Sequence, residues 1–463
     1  MIKKKNSGMP WHLAPTIFAL AWPTMLEQLM QTAVQYIDVA MVGALGTEAT
    51  AAVGSTTTVN WLIGSTVSAL GVGFLAFVSQ AAGAGEHEKI KKASAQATLA
   101  VLVCGIIFTA LTLGLSPYIP VWMQVDEELC PIASKYFFIL YTPMLFRCAT
   151  IIFGTLFRAA GDTKTPMLVG IAVNIINIVL NFFMIYPTRE IEIFSAKIRI
   201  FGAGLGVVGA AAASAAAFAV GGICISAALW RHNALSPRGY SIKPDREVLS
   251  KCLRVALPNA LQRFGTSLGY VAFAAMINSL GEISTAAHTI ANTVESAFYI
   301  PGYGMQTAAA TLTGNAYGAR NPRKLRELSK MILFIEAALM VVSGGLLFCF
   351  APNMISLFSK DESVIRLGTT VLRMVALSEP FYGVSIIIEG MMQGLGRTKM
   401  PFVTNVVGMW GIRIVGTFIC ISVCSLGLVS AWACMILHNL MLFVVFGIYF
   451  LSGKWDPMRK DLG

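Results

Sequence analysis

The chain has 463 residues, 56% hydrophobic and 12% charged, and its mean hydropathy is +0.70. Soluble domains carry about 25% charged residues, so an ordinary water-soluble enzyme or binding module is excluded and a lipid bilayer is the expected solvent. The net charge of +11 calls for no nucleic acid partner, because the basic residues sort by loop.

A helix needs about 20 apolar residues to cross the hydrocarbon. Twelve such stretches follow one another, at 15–38, 51–75, 94–116, 132–156, 166–187, 203–229, 252–277, 286–310, 330–350, 369–392, 401–424 and 428–451. The opening Lys3-Lys4-Lys5 precedes a long segment with Glu27, Gln28 and Gln31 and no convincing small-residue cleavage site, so it reads as a retained first helix. On that helix Thr24, Glu27, Gln31, Gln35 and Asp38 recur at spacings of three or four and share one face. A carboxylate against lipid is costly, so the stripe is expected to meet a water-filled cavity or buried partners. Two readings stand: a cation or substrate site, and a hydrogen-bonded network between helices.

The fifth helix carries Asn174, Asn177 and Asn181, whose amides can offer carbonyl oxygens to a cation, donors to a carboxylate, or glue between helices. After it, residues 189–200 alternate polar and apolar side chains and predict a small external β-hairpin. Pro237, Gly239 and Pro244 then mark a linker. The expected organisation is a lobe at 1–230, a cytoplasmic linker at 231–250 and a second lobe at 251–463.

The second lobe is polar at other places. Its first helix holds Asn259, Gln262, Arg263, Thr266 and Tyr270; the next holds Asn292 and Glu295; Glu379 stands in Ser378-Glu379-Pro380, where proline frees a backbone carbonyl. Glu389 follows Tyr382 and Ser385. Glu295 and Glu379 are preferred to Glu389 as cavity acids, neutralisation of Arg263 being the alternative. Trp61, Tyr299, Tyr303, Met305 and Met391 offer faces suited to flat, lipophilic cations, or else pack between helices.

Alternate connections differ in charge. One set holds 24 Lys and Arg residues, including Lys3, Lys4, Lys5, Arg238 and Lys460; the other holds 4, namely Arg189, Lys197, Arg199 and Lys360. The positive-inside rule therefore predicts both termini in the cytoplasm. The acids Asp126, Glu127, Glu128, Asp361 and Glu362 fall in the external set, as solvated faces.

The chain also repeats itself at an offset of 235 residues. Met41, Leu45, Gly46, Gly83, Gly161, Thr163, Lys164 and Pro166 are answered by Met276, Leu280, Gly281, Gly318, Gly396, Thr398, Lys399 and Pro401. Such duplication predicts an all-α polytopic membrane protein, twelve transmembrane helices in two repeated six-helix lobes that can alternate access. Asp38 becomes Phe273 and Asn60 becomes Glu295, so the lobes are expected to divide their work. The nine cysteines and five histidines form no metal-like or catalytic set, and no Gly-Lys-Ser/Thr closes a phosphate loop. An enzyme or a non-transporting scaffold is the competing class.

The strings Gln35-Tyr36-Ile37-Asp38-Val39-Ala40-Met41-Val42-Gly43, Gly161-Asp162-Thr163-Lys164-Thr165-Pro166, Asn177-Ile178-Val179-Leu180-Asn181 and Gly394-Leu395-Gly396-Arg397-Thr398-Lys399-Met400-Pro401, in this order with Pro23, resemble the multidrug and toxic compound extrusion (MATE) family. The resemblance implies export of organic cations in exchange for Na⁺ or H⁺, without a cofactor, by a multi-pass protein of the cell inner or plasma membrane acting as a monomer. It implies a coupling acid at Asp38 within a network reaching the fifth helix. Some relatives have a second acid where this chain has Asn181. Others place ion-linked acids on the seventh helix, which here has Thr266 near the matching location, and on the tenth, which here carries Glu379. The expected coupling residues are Asp38, Gln35, Asn174, Asn177 and Asn181, with Na⁺ at Asp38, Asn177 and Asn181. The expected substrate cavity comprises Glu27, Gln31, Trp61, Asn259, Gln262, Arg263, Asn292, Glu295, Tyr299, Glu379 and Tyr382. Export of a specialised metabolite or lipid-linked molecule by the same architecture is the alternative.

Overall fold

The structure, a computed structural model, describes residues 9–123, 125–193 and 196–459; Lys3, Lys4, Lys5, Phe194 and Lys460 lie outside the described residues. Its elements are α1 (Ala14–Gly43), α2 (Thr47–Gly83), α3 (His87–Leu115), α4 (Ile119–Trp122), α5 (Cys130–Tyr141), α6 (Met144–Ala159), α7 (Lys164–Met184), β1 (Pro187–Ile193), β2 (Ala196–Ala203) and α8 (Gly206–Arg231). There follow α9 (Arg246–Asn278), α10 (Glu282–Gly318), α11 (Pro322–Ser356), α12 (Glu362–Ala376), α13 (Glu379–Gly394), α14 (Lys399–Val423) and α15 (Leu428–Leu451). With α5–α6 and α12–α13 each taken as one bent span, the long helices match the twelve expected crossings in order.

Among the described residues, nine of these spans are long and apolar enough to cross a membrane. The other three, α1, α9 and α10, are long enough, and each carries several polar or charged side chains along its length. Ile106 and Ile107 on α3 and Leu451 on α15 are exposed, and a bilayer rather than water suits such surface.

Two expected crossings are broken. The path bends by 49° between α5 and α6 and by 52° between α12 and α13. The breaks fall at the same place in each repeat, after Tyr141 and Ala376. Pro143 lies in the first break and Pro380 in the first turn after the second, where a residue without an N–H cannot continue the ladder. Helix ends recur too: Gly46 (φ +116°) and its mate Gly281 (φ +95°) both turn left-handed, the region that glycine enters without steric cost.

The chain forms two compact units, neither contiguous in sequence. The first contains Leu26–Phe74 and His87–Ser250; the second contains Met1–Met25, Leu75–Glu86 and Lys251–Gly463. In the first, Phe137, Tyr141, Ile152, Phe153, Leu156 and Phe157 of α5 and α6 are buried. The expected hairpin is present as an antiparallel β1–β2 pair. The expected linker is pinned to α3: Lys92 Nζ lies 2.6 Å from Asp245 Oδ2, Gln96 Nε2 donates to Lys243 O at 2.8 Å, and Tyr240 donates to Glu88 Oε2. Hydrogen bonding to Lys92 holds the Asp245 carboxyl below the ordinary range, helped by the backbone N–H of Val248, which Asp245 caps at 3.0 Å where α9 begins.

The second unit has two main cores. Ile17 and Ala21 of α1 pack with Met305, Met331, Ile387, Met391 and Trp455, and Phe273, Ala291, Leu347, Val371 and Trp432 form the other. The ends of α2 and α10 cross here at glycines that are repeat-mates. A Cβ on Gly83 would lie 1.9 Å from Asn315 O, and one on Gly318 would lie 1.8 Å from Gln80 O. Gln80 and Asn315 are also repeat-mates, so the crossing is reciprocal. Close approach of this kind requires the smallest residue on both sides.

Candidate functional site

In the first unit, α1 presents the half-buried Asp38 to α7, where Asn177 and Asn181 lie one turn apart and are both buried. Asn181 Nδ2 donates to Asp38 Oδ1 at 2.6 Å. The Asn177 amide has two orientations. In one it accepts from Asn181 at 3.2 Å and donates to Ser214 Oγ on α8 at 2.9 Å. In the other its nitrogen donates to Asp38 Oδ1 at 2.8 Å and its oxygen accepts from Ser214 at 2.9 Å, which gives the carboxylate two amide donors. Asn181 Oδ1 is buried and has no partner among the described residues. One carboxylate, two amides and a hydroxyl form a set of hard oxygens able to hold a proton or an alkali cation.

The other expected residues of this unit divide. Asn174 is half-buried and makes no side-chain hydrogen bond among the described residues, whereas Gln31, Gln35 and Trp61 are exposed. Glu27 is an ion-pair partner: Arg158 Nη2 reaches its Oε1 at 2.6 Å and its Oε2 at 2.8 Å. Asn60 accepts from the Tyr141 hydroxyl and donates to Thr56 Oγ1 at 3.4 Å. The Arg147 guanidinium lies over the rings of Tyr141 (5.5 Å) and Phe218 (5.0 Å). Ser214 and Arg147 were absent from the expected site. Arg147 carried a signal, as a cation within an apolar span; Ser214 is an ordinary small residue in an alanine-rich helix.

In the second unit the acid with the richest amide set is Glu389. Gln262 donates to its Oε1 at 2.9 Å, Gln393 to the same oxygen at 3.2 Å, and Asn405 to Oε2 at 3.2 Å. Arg263, the cation acting on Glu389, donates from Nε to Asn259 Oδ1 at 3.1 Å. Glu295 is buried and Arg413 is the cation acting on it. Arg413 lies 4.2 Å from the Phe273 ring centre and 4.7 Å from that of Tyr270. Glu379 is buried, while Asn292 is exposed. Tyr299, Tyr303 and Tyr382 form one aromatic group, the hydroxyls of the last two 3.4 Å apart. Met305 and Met391 are fully buried in the core, in keeping with the packing alternative for them. A fourth intramembrane acid, Glu336 on α11, is fully buried and was absent from the expected set. Its one sequence signal is that it stands alone in an apolar run.

Among the described residues, no three His, Cys, Asp or Glu side chains gather as a metal site. Over 440 residues the chain is 26% identical to a Thermotoga maritima protein named "Probable multidrug resistance protein NorM", covering 95% of this chain and 92% of that one. It is 24% identical to a Bacillus subtilis protein named "Probable multidrug resistance protein YoeA", covering 93% and 91%. Among solved structures, a MATE protein crystallised with MaL6 superposes with a TM-score of 0.87 at 24% identity, covering 96% and 97% of the chains, a likeness of fold. A Pyrococcus furiosus transporter of the MOP superfamily, described as having a binding pocket of reverse polarity, superposes with a TM-score of 0.85 at 25% identity, covering 95% and 94%. The sequence pattern of the MatE family matches residues 23–183 and 258–419, one match in each repeat, and the chain belongs to this family of membrane transporters.

Proposed function

We propose that the protein is a secondary active multidrug efflux transporter, exchanging small organic cations for Na⁺ or H⁺ by alternating access. It acts as a monomer in the cell inner or plasma membrane with both termini in the cytoplasm, and needs no cofactor. The names of its relatives support a multidrug role. The observation that carries the coupling role is the Asp38 carboxylate, held by Asn181 at 2.6 Å and backed by Asn177 and Ser214. A proton or Na⁺ arriving there neutralises the acid and competes with the amide donors, which gives ion binding a way to rearrange α1 against α7. Gln35 and Asn174 flank this centre. Glu27, Gln31 and Trp61 in the first unit, and Asn259, Gln262, Arg263, Asn292, Glu295, Tyr299, Glu379 and Tyr382 in the second, are the proposed substrate-responsive residues.

The test is efflux from proteoliposomes under separately imposed Na⁺ and H⁺ gradients. Asp38→Asn keeps the shape but removes the charge, and coupled flux is expected to fall by at least about tenfold, the loss of roughly 1.4 kcal/mol of coupling. Unchanged coupled flux in that variant removes Asp38 from the mechanism. A second reading, export of an anionic specialised metabolite or lipid-linked molecule, draws on Arg147 beside Tyr141 and Phe218. It predicts flux of anionic compounds that Arg147→Gln abolishes, with no flux across a cation panel.

A further inference from the structure

Among the described residues, four carboxylic acids lie within the expected crossings of the second unit: Glu295, Glu336 and Glu379 are buried and Glu389 is half-buried. Two have a cation: Arg263 acts on Glu389 and Arg413 on Glu295. The charged groups acting on Glu379 are other carboxylates, Glu295 and Glu336. Glu336 is 0% exposed, and neither of its oxygens has a hydrogen-bond partner among the described residues; Glu379, 1% exposed, leaves Oε2 unpartnered.

The fold makes room for the Glu336 carboxyl. A Cβ on Gly302 of α10 would lie 2.8 Å from its Oε1, and one on Gly383 of α13 would lie 3.1 Å away, so a side chain at either position would press into the carboxyl. Met340 and Ile386 bound the same space. The titratable groups on the helices packed against α11 are Glu282, His288, Glu295, Tyr299, Tyr303 and Tyr317 on α10, Glu379, Tyr382 and Glu389 on α13, and Glu362, Arg366 and Arg373 on α12, the last three exposed. A carboxylate taken from water without donors or a counter-ion is far too costly to stay charged, so it must be neutralised. An alkali cation would need several oxygens around it. Glu389 has amides on both its oxygens, whereas Glu336 has methionine, isoleucine and two glycines, surroundings that suit a proton and starve a metal ion.

We propose that Glu336, with Glu379 nearby, is a second proton-binding site that exchanges its proton with the medium, independent of the ion carried at Asp38. The experiment is carbodiimide labelling of the full-length purified protein. A protonated carboxyl in apolar surroundings adds its O–H across a C=N bond of dicyclohexylcarbodiimide, the oxygen to carbon and the proton to nitrogen, and the O-acylisourea so formed rearranges to a stable N-acylurea that peptide mass spectrometry locates. Glu336 is expected to be labelled and Glu389, held by its amides, to be spared. Labelling at Glu336 should fall by about tenfold or more between about pH 5 and about pH 9, the span in which buried carboxyls titrate. No adduct on Glu336 anywhere in that range overturns the proposal. So does labelling that is the same throughout it, which would mark a permanently neutral structural acid. Because the wild-type chain is the sample, no variant has to fold. Asp38→Asn should leave the adduct unchanged, so failure of the Asp38 coupling role would remain separately visible.

Discussion

Arg158 meets Glu27 through one guanidinium nitrogen that touches both carboxylate oxygens, with each side chain less than one-fifth exposed. A pair so placed stabilises mainly because either partner alone would be a poorly solvated charge. Glu27→Gln or Arg158→Gln is expected to cost about 2 kcal/mol, and the double variant less than the sum of the two. Thermal unfolding of the four proteins in detergent reads this cycle; strict additivity would show that the two groups do not interact. The partnership was not legible in the sequence, because the residues stand 131 positions apart. Asp38 with Asn177 and Asn181 was legible, because each helix announces its polar face by spacing three or four. Glu336 makes no stripe, so periodicity passes over it. Glu389 was set behind Glu295 and Glu379, because the amides that hold it come from α9, α13 and α14 and are joined only by folding.

At the level of elements, proline and glycine did the most to shape the helices. The turns at Gly46 and Gly281 follow from the repeated glycine, whereas the breaks inside two crossings do not follow from apolar periodicity, which runs through Pro143 and Pro380 without interruption. The crossing of α2 and α10 rests on missing side chains. Gly83→Ala and Gly318→Ala each place a carbon within 2 Å of a backbone carbonyl oxygen, so the helices must separate, at a cost of about 1–3 kcal/mol or more. Gly345→Ala, on α11 with open space around it, is the control expected to be neutral or slightly stabilising, since alanine favours a helix over glycine. Thermal stability of the three variants decides the matter; equal melting temperatures would mean that the crossing adjusts freely.

Across the whole molecule, the distribution of Lys and Arg remains the guide to orientation, and the two sides it defines are open to direct labelling. In a cysteine-free background of intact cells, Lys360→Cys should react with a membrane-impermeant maleimide from outside, and Arg238→Cys only after permeabilisation. Both residues are exposed, so a reversed pattern would invert the assigned topology. Duplication gave this chain two copies of a frame free to diverge wherever neighbours differ: Asp38 faces amides, while Phe273, its mate, covers Arg413. The glycines of the α2–α10 crossing have no such freedom. Each fills its place only because the other copy's backbone passes where a side chain would be, so the two positions share one mutational tolerance. A random library that varies Gly83 alone should return glycine, and a compensating change would have to be sought around Asn315, half a gene away.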